Sequence, residues 1–263
     1  MRLPQELVEM IISYFIYDTR TLLACSTTCR SWYFAAVVHL HHSLTSGENC
    51  SPSAWGNARK YWWPHPLQNS YELGLLPFVK RFRFRLQSYP YSKFTLDDLT
   101  LRYFSALTHL QELGIDYLQV PDFMPNIQQF FGHFAPTLRF LALKEPGGSS
   151  RQILYFIGLF PNLQDLKICY RIPTEIQESM TDAELVPLSI PPLRGRLTLT
   201  CFTRGRLMDD MVVLFGGLRF RYMDLFRVNC VRLLLGACAE TLETLRLYPT
   251  DFSGEEILLE GKE

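Results

Sequence analysis

The sequence predicts an α/β protein in two parts: a short all-helical piece at the N-terminus, then a longer region built on a parallel sheet. Three observations carry this. Over residues 3–40, apolar side chains recur every three to four positions, which is a helical period. From residue 79 onward a short pattern, apolar-x-x-apolar-x-apolar, returns seven times. Between its occurrences lie segments of helix-like rhythm that end in a proline or polar break. Strands that alternate with helices along a chain pair in parallel.

Composition narrows the class. The 263 residues are 48% hydrophobic and 20% charged, with 26 basic and 26 acidic side chains. This is the make-up of a folded chain with a core. Zero net charge argues against a protein that coats nucleic acid or an anionic membrane, since both need a long-range positive field. Leucine supplies 42 residues. No transmembrane helix is expected as its cause, because no window of 18 apolar residues exists. The N-terminal Arg2 is followed by Pro4, Glu6 and Glu9, which break the apolar run of a signal peptide. The expected compartment is cytoplasm or nucleus. The seven cysteines include no Cys-x-x-Cys pair, so no disulfide framework is expected. Cys25 and Cys29 with His39, His41 and His42 follow no common zinc spacing, and the two cysteines read as small buried residues on one helix face. No metal and no cofactor is expected.

The first helix places Leu3, Leu7, Met10 or Ile11, and Tyr14 or Phe15 on one face. Pro4 suits its first turn, and Glu6 and Glu9 lie near its positive end. Asp18-Thr19-Arg20 breaks the pattern and offers caps. Leu22, Leu23 and Cys25 form a second helix. Cys29, Trp32 or Tyr33, Ala36 or Val37, and Leu40 give a third. Three short helices in about 40 residues cannot bury a core well alone, so a partner or the rest of the chain must complete them.

The run Leu3-Pro4-Gln5-Glu6-Leu7, the apolar Ile11 to Phe15, the pair Leu22-Leu23, and Cys29-Arg30-Ser31-Trp32 together resemble an F-box. All four parts stand in order at the family's spacing, over roughly residues 1–42. Thr28 stands where the family usually has Val, and Phe15 where Leu is commoner. The resemblance implies docking on a Skp-type adaptor, and through it on a cullin-based ubiquitin ligase of the SCF type. Carried over by position, the implied adaptor-binding residues are Leu3, Pro4, Leu7, Ile11, Leu22, Leu23 and Trp32.

Residues 43–76 read as a linker, because Ser, Gly, Asn and Pro cluster over 43–57. Trp55, Trp62 and Trp63 interrupt it. They read either as a clamp between the two parts or as a partner hot spot.

The repeats follow. They begin at Val79, Leu110, Leu138, Leu163, Leu193, Phe220 and Leu242, the fifth with one inserted residue. Phe130 to Leu138 parallels Phe156 to Leu163, and Leu233 to Leu242 keeps the same rhythm: short helix, break, strand. The strand's alternate apolar residues point into a common core. Residues 77–250 resemble an irregular leucine-rich-repeat-like solenoid with a parallel sheet, although the Asn or Cys usual after the strand is missing from most units. Residues 251–263 are a tail. F-box and leucine-rich repeats occur together as a known pairing.

In that geometry, residues between the strand leucines face the concave side and are target-binding candidates. Arg81, Arg83 and Arg85 form the densest charge row, beside Lys144, Lys167, Arg246 and Tyr248. Arginine grips carboxylates or phosphates with paired hydrogen bonds. The alternative for the arginine row is an edge strand guarded by charge. No catalytic signature is found: no Gly-rich phosphate loop, no Gly-x-Ser-x-Gly elbow, no His-Glu-x-x-His helix. The adjacent pairs Asp97-Asp98, Asp209-Asp210 and Glu255-Glu256 point apart and make poor acid–base pairs. The reading is a non-enzymatic substrate receptor joining adaptor to an unknown protein target. The alternatives are a non-degradative F-box scaffold and an α/β enzyme.

Overall fold

The structure is a computed structural model. It describes residues 3–15, 18–46, 65–85, 98–120, 127–170, 192–200, 207, 210–212, 218–228, 232–248 and 257–260. Trp55, Trp62 and Trp63 and most of the tail lie outside them. The chain divides into two compact units, Met1–Arg83 with Asp97–Leu110, and Phe84–Leu96 with Gln111–Glu263.

The first unit opens with α1 (Gln5–Ser13), α2 (Thr19–Ser26) and α3 (Arg30–Leu40). Pro4 sits just ahead of α1, and its carbonyl accepts from the N–H groups of Leu7 and Val8. Asp18 caps α2 by accepting from the Thr21 N–H at 3.1 Å and the Thr21 hydroxyl at 2.6 Å. These bonds hold its carboxyl below the usual carboxylate range. Val8, Ile12, Leu22, Cys25, Ala35 and Ala36 form the core, with Phe15, Trp32 and Leu40 packed against it. Cysteine and alanine at the contact let the helices approach closely. Cys29, read from sequence as buried, is exposed instead, because it lies ahead of the first turn of α3.

The segment read as a linker holds β1 (Ser43–Ser46), α4 (His65–Glu72) and a 3-10 turn at Leu76–Phe78. β2 (Arg81–Arg85) and α5 (Asp98–Ser105) follow. Phe82 meets Phe104 edge to face at 5.8 Å, and Tyr71 lies tilted against Tyr103 at 5.2 Å.

The second unit is a sheet in chain order: β3 (Glu112–Asp116), β4 (Phe140–Lys144), β5 (Asp165–Cys169), β6 (Arg194–Thr200), β7 (Arg219–Phe226), β8 (Thr244–Tyr248) and β9 (Ile257–Glu260). β3 to β8 are parallel, and β9 closes on β8 antiparallel. Helices α6 (Ile127–Phe131), α7 (Ser150–Gly158) and α8 (Arg232–Cys238) precede β4, β5 and β8. Ser149 and Gln152 make a capping box at the start of α7.

The register aligns the strand cores. Leu113, Leu141, Leu166, Leu197, Met223 and Leu245 form one buried row across six strands. Ile115, Leu143, Ile168, Leu199 and Leu225 form the next, ended by the half-buried Leu247. Helix aromatics extend this core: Phe156 meets Phe131 at 4.9 Å and Phe160 at 5.4 Å, both edge to face.

Left-handed turns after three of the strands have no counterpart in the sequence pattern. The residue after β3, β4 and β7 is left-handed at a non-glycine side chain: Tyr117 (φ 65), Glu145 (φ 52) and Arg227 (φ 52). Each donates its N–H to the last carbonyl of the next strand, at 2.7, 2.7 and 2.9 Å. The inserted residue of the fifth repeat is absorbed at Gly195, whose φ is +84. The Arg196 N–H can then bond the Gln164 carbonyl at 2.8 Å. β7 bulges at Arg221 opposite this point, so that Gly195 faces Phe220 and Arg196 faces Tyr222.

A Cβ at Gly195 would overlap the Gln164 carbonyl oxygen in a backbone conformation that L side chains resist. Gly195→Ala is therefore expected to lower stability by about 2 kcal/mol or more, read as a lower urea midpoint. An unchanged midpoint would contradict the register given for β5 and β6.

Candidate functional site

α1 carries apolar side chains on two sides. Val8 and Ile12 point into the helical core, 1% and 0% exposed. Leu7 and Met10, with Leu3 just ahead of the helix and Tyr14 at its C-terminal cap, follow the same three-to-four spacing and stand in solvent, Leu3 at 51% and Tyr14 at 79%. Leu23 of α2 is 54% exposed. A unit this small would ordinarily hide such residues, and a run of exposed apolar side chains marks an interaction surface.

The implied adaptor-binding residues divide accordingly. Leu3, Pro4, Leu7 and Leu23 are exposed, and Ile11 is half-buried. Trp32 is also half-buried, packed on the helical core. Leu22 is 1% exposed, so it holds the helices together and does not reach the surface. Met10 and Tyr14 complete the exposed run. Sequence periodicity names both, and neither is among the implied adaptor-binding residues. Thr28 lies at the surface with its hydroxyl donating to the Cys25 carbonyl, so it removes no core contact.

A groove of about 490 Å³ lies elsewhere on the first unit, walled by Gln5, Glu9, Tyr33, Phe34, Leu73 and Phe78. His39 also lines it, with its Nδ1 buried and without a hydrogen-bond partner. Burial, reinforced by the Lys80 charge, pushes the His39 pKa below its ordinary value.

In the second unit, residues between the buried rows face outward in register. One row runs Glu112, Phe140, Asp165, Arg196, Tyr222, Thr244; the next Gly114, Ala142, Lys167, Thr198, Asp224, Arg246; the third Asp116, Lys144, Cys169, Thr200, Phe226, Tyr248. The sheet thus brings Lys144, Lys167, Arg246 and Tyr248 onto one face. Arg246 lies 3.9 Å from Asp224. Tyr248 stacks on Phe226, centroids 4.0 Å apart and planes 5° apart. The Arg196 guanidinium lies over the Tyr222 ring at 5.6 Å. Asp116 is buried and Asp165 half-buried. Burial raises the Asp165 pKa despite the nearby Arg196 and Lys167 charges.

Arg81 and Arg83 occupy β2 and interact with other groups of the chain, while the Arg85 side chain lies outside the described ones. The second unit holds a different arginine group. Arg194, Arg196, Arg219 and Arg221 are all exposed at the N-terminal ends of β6 and β7. Arg194 and Arg219 are register partners. The signal was present as Arg-x-Arg at 194–196 and again at 219–221, a period-two charge on two repeats. Among the described residues, no three His, Cys, Asp or Glu side chains are arranged to hold a metal ion.

Residues 1–45 match the model of the F-box-like family, so the chain carries an F-box-like domain there. No curated protein matches the chain.

Two predictions separate buried from displayed groups. Ile12→Ala is expected to cost about 2–4 kcal/mol of stability, while Leu7→Ala changes it by no more than about 0.5 kcal/mol; denaturant titration reads both. Asp165 is the second. An acid whose folded pKa is raised destabilises the fold when ionised, and that cost fades as pH falls through the raised pKa toward the unfolded value. Asp165→Asn should therefore melt higher than the wild type at pH 7, with the gap closing toward pH 4. A gap that widens on acidification would contradict the assigned cause.

Proposed function

We propose that this protein is a substrate-recognition subunit of an SCF-type cullin-RING ubiquitin ligase. The observation that carries the reading is the exposed apolar run of Leu3, Leu7, Met10, Tyr14 and Leu23, within the segment that matches the F-box-like family. Burying such side chains against a partner is worth about 1.5–3 kcal/mol each. A Skp-type adaptor is the partner that F-box domains generally dock, and the adaptor links to the cullin.

In this reading residues 77–250, most of which belong to the second unit, are a leucine-rich-repeat-like target-binding domain. Support comes from parallel strands in chain order, two in-register apolar rows inward and three mixed rows outward. Target recruitment is assigned to that outward face, with Lys144, Lys167, Arg246 and Tyr248 among the groups on offer. The protein acts by bringing the target near the transferring enzyme, so its rate contribution is proximity and not bond chemistry.

The expected result is that the full chain co-purifies with a Skp-type adaptor and a cullin. The double variant Leu3→Ala with Pro4→Ala, and separately Leu7→Glu, should each weaken adaptor capture at least tenfold. Leu7 and Leu3 are exposed, so both variants should keep the wild-type melting temperature. Undiminished capture by both variants would overturn the adaptor assignment.

A further inference from the structure

We propose that the N-terminal ends of β6 and β7 form a docking patch for a phosphorylated segment of a protein target. Its elements are Arg194, Arg196, Arg219 and Arg221. The proposal rests on the target-recruiting reading above and specifies the chemistry of its target.

All four side chains are exposed. Along β6, Arg194 and Arg196 flank Gly195 and precede the buried Leu197. Along β7, Arg219 precedes the buried Phe220, and the bulge leaves Arg221 and Tyr222 both exposed. Arg194 and Arg219 stand opposite each other on strands about 4.8 Å apart. Like charges directly opposite on a sheet are destabilising. No described group pairs with Arg194 or Arg219. Arg196 is offset by Asp165 and rests on Tyr222, and Arg221 lies 3.6 Å from Glu243.

Protection against sheet-to-sheet pairing does not account for this arrangement. Charges serve that purpose on edge strands, and β6 and β7 are interior, with β5 on one side and β8 on the other. Two facing guanidiniums with no acid paired to them among the described residues match a dianion that accepts several hydrogen bonds. A phosphoryl group supplies about two negative charges and three acceptor oxygens, where a single carboxylate supplies one charge.

The surroundings set the class of partner. Asp165 and Glu243 bound the patch on the β5 and β8 sides, and Asp224 lies on the same face. Those carboxylates repel a continuous run of phosphates such as RNA, and the whole chain carries no net charge. One anionic group on a peptide fits between them, with Tyr222 beside it as an apolar platform for a neighbouring side chain.

The test uses the full chain, immobilised with its co-purified Skp-type adaptor. It is exposed to a degenerate phosphoserine and phosphothreonine peptide library, to the same library after phosphatase treatment, and to single-stranded RNA. The wild type should retain phosphorylated peptides at least tenfold over dephosphorylated ones. Arg194→Ala with Arg219→Ala should erase that ratio, and Arg194→Gln with Arg219→Gln should do the same without a large loss of side-chain volume. Arg221→Ala should have a smaller effect, because Glu243 already offsets that charge. Equal retention of both libraries, a ratio unchanged in both double variants, or retention of RNA in place of peptide would each overturn the proposal. Adaptor on the same beads is scored separately: its presence without phosphopeptide enrichment defeats the docking patch alone, and its absence defeats the ligase reading.

Discussion

The second unit depends on a single constraint, the in-register stacking of alternate leucines across parallel strands. Once Leu113, Leu141, Leu166, Leu197, Met223 and Leu245 share one buried row, strand register is set, since a one-residue slip would turn each strand's apolar set outward. The intervening residues are then arrayed outward in rows at strand spacing. Variable side chains occupy those rows without disturbing the core. The irregular repeat is accommodated by local backbone adjustment: Gly195 absorbs an inserted residue, and the bulge at Arg221 restores the alignment of Leu197 with Met223.

The first unit works under a different limit. Its helices are short, and their core relies on Val8 and Ile12 of α1 meeting small residues, Ala35 and Ala36. α1 must also present Leu7 and Met10 to solvent, with Leu3 just before it and Tyr14 at its C-terminal cap. Exposing these residues contributes little to folding of the isolated unit and makes the surface available to a partner. The two units thus present complementary chemistries: apolar helical side chains on one, and an ordered field of charged and aromatic groups on the other.

Much of this was legible in the sequence. Six-residue repeats locate β3, β4, β5, β7 and β8 because period-two burial leaves a strict apolar spacing. The helices before β4, β5 and β8 show in the runs around Phe130, Phe156 and Leu234. The inner face of α1 was harder to read. Two apolar stripes lie along the same short helix, and spacing alone does not say which is buried. Leu22 and Leu23 of α2 likewise look alike in sequence and separate only in packing. The arginine group at β6 and β7 is hard to see in sequence because its members come from two repeats joined by register. Arg81, Arg83 and Arg85 drew attention by lying on one strand. The left-handed turns at Tyr117, Glu145 and Arg227 carry no glycine or asparagine to announce them.

The central claim is that the outward apolar face of α1 and α2 is an adaptor-binding surface. Hydrogen exchange followed by mass spectrometry, on the full chain with and without a Skp-type adaptor, tests it most directly. The account predicts slowed exchange on adaptor binding in peptides covering residues 3–26, with exchange in β3 to β8 unchanged. Unaltered exchange across residues 3–26, or protection confined to residues 112–248, would contradict it.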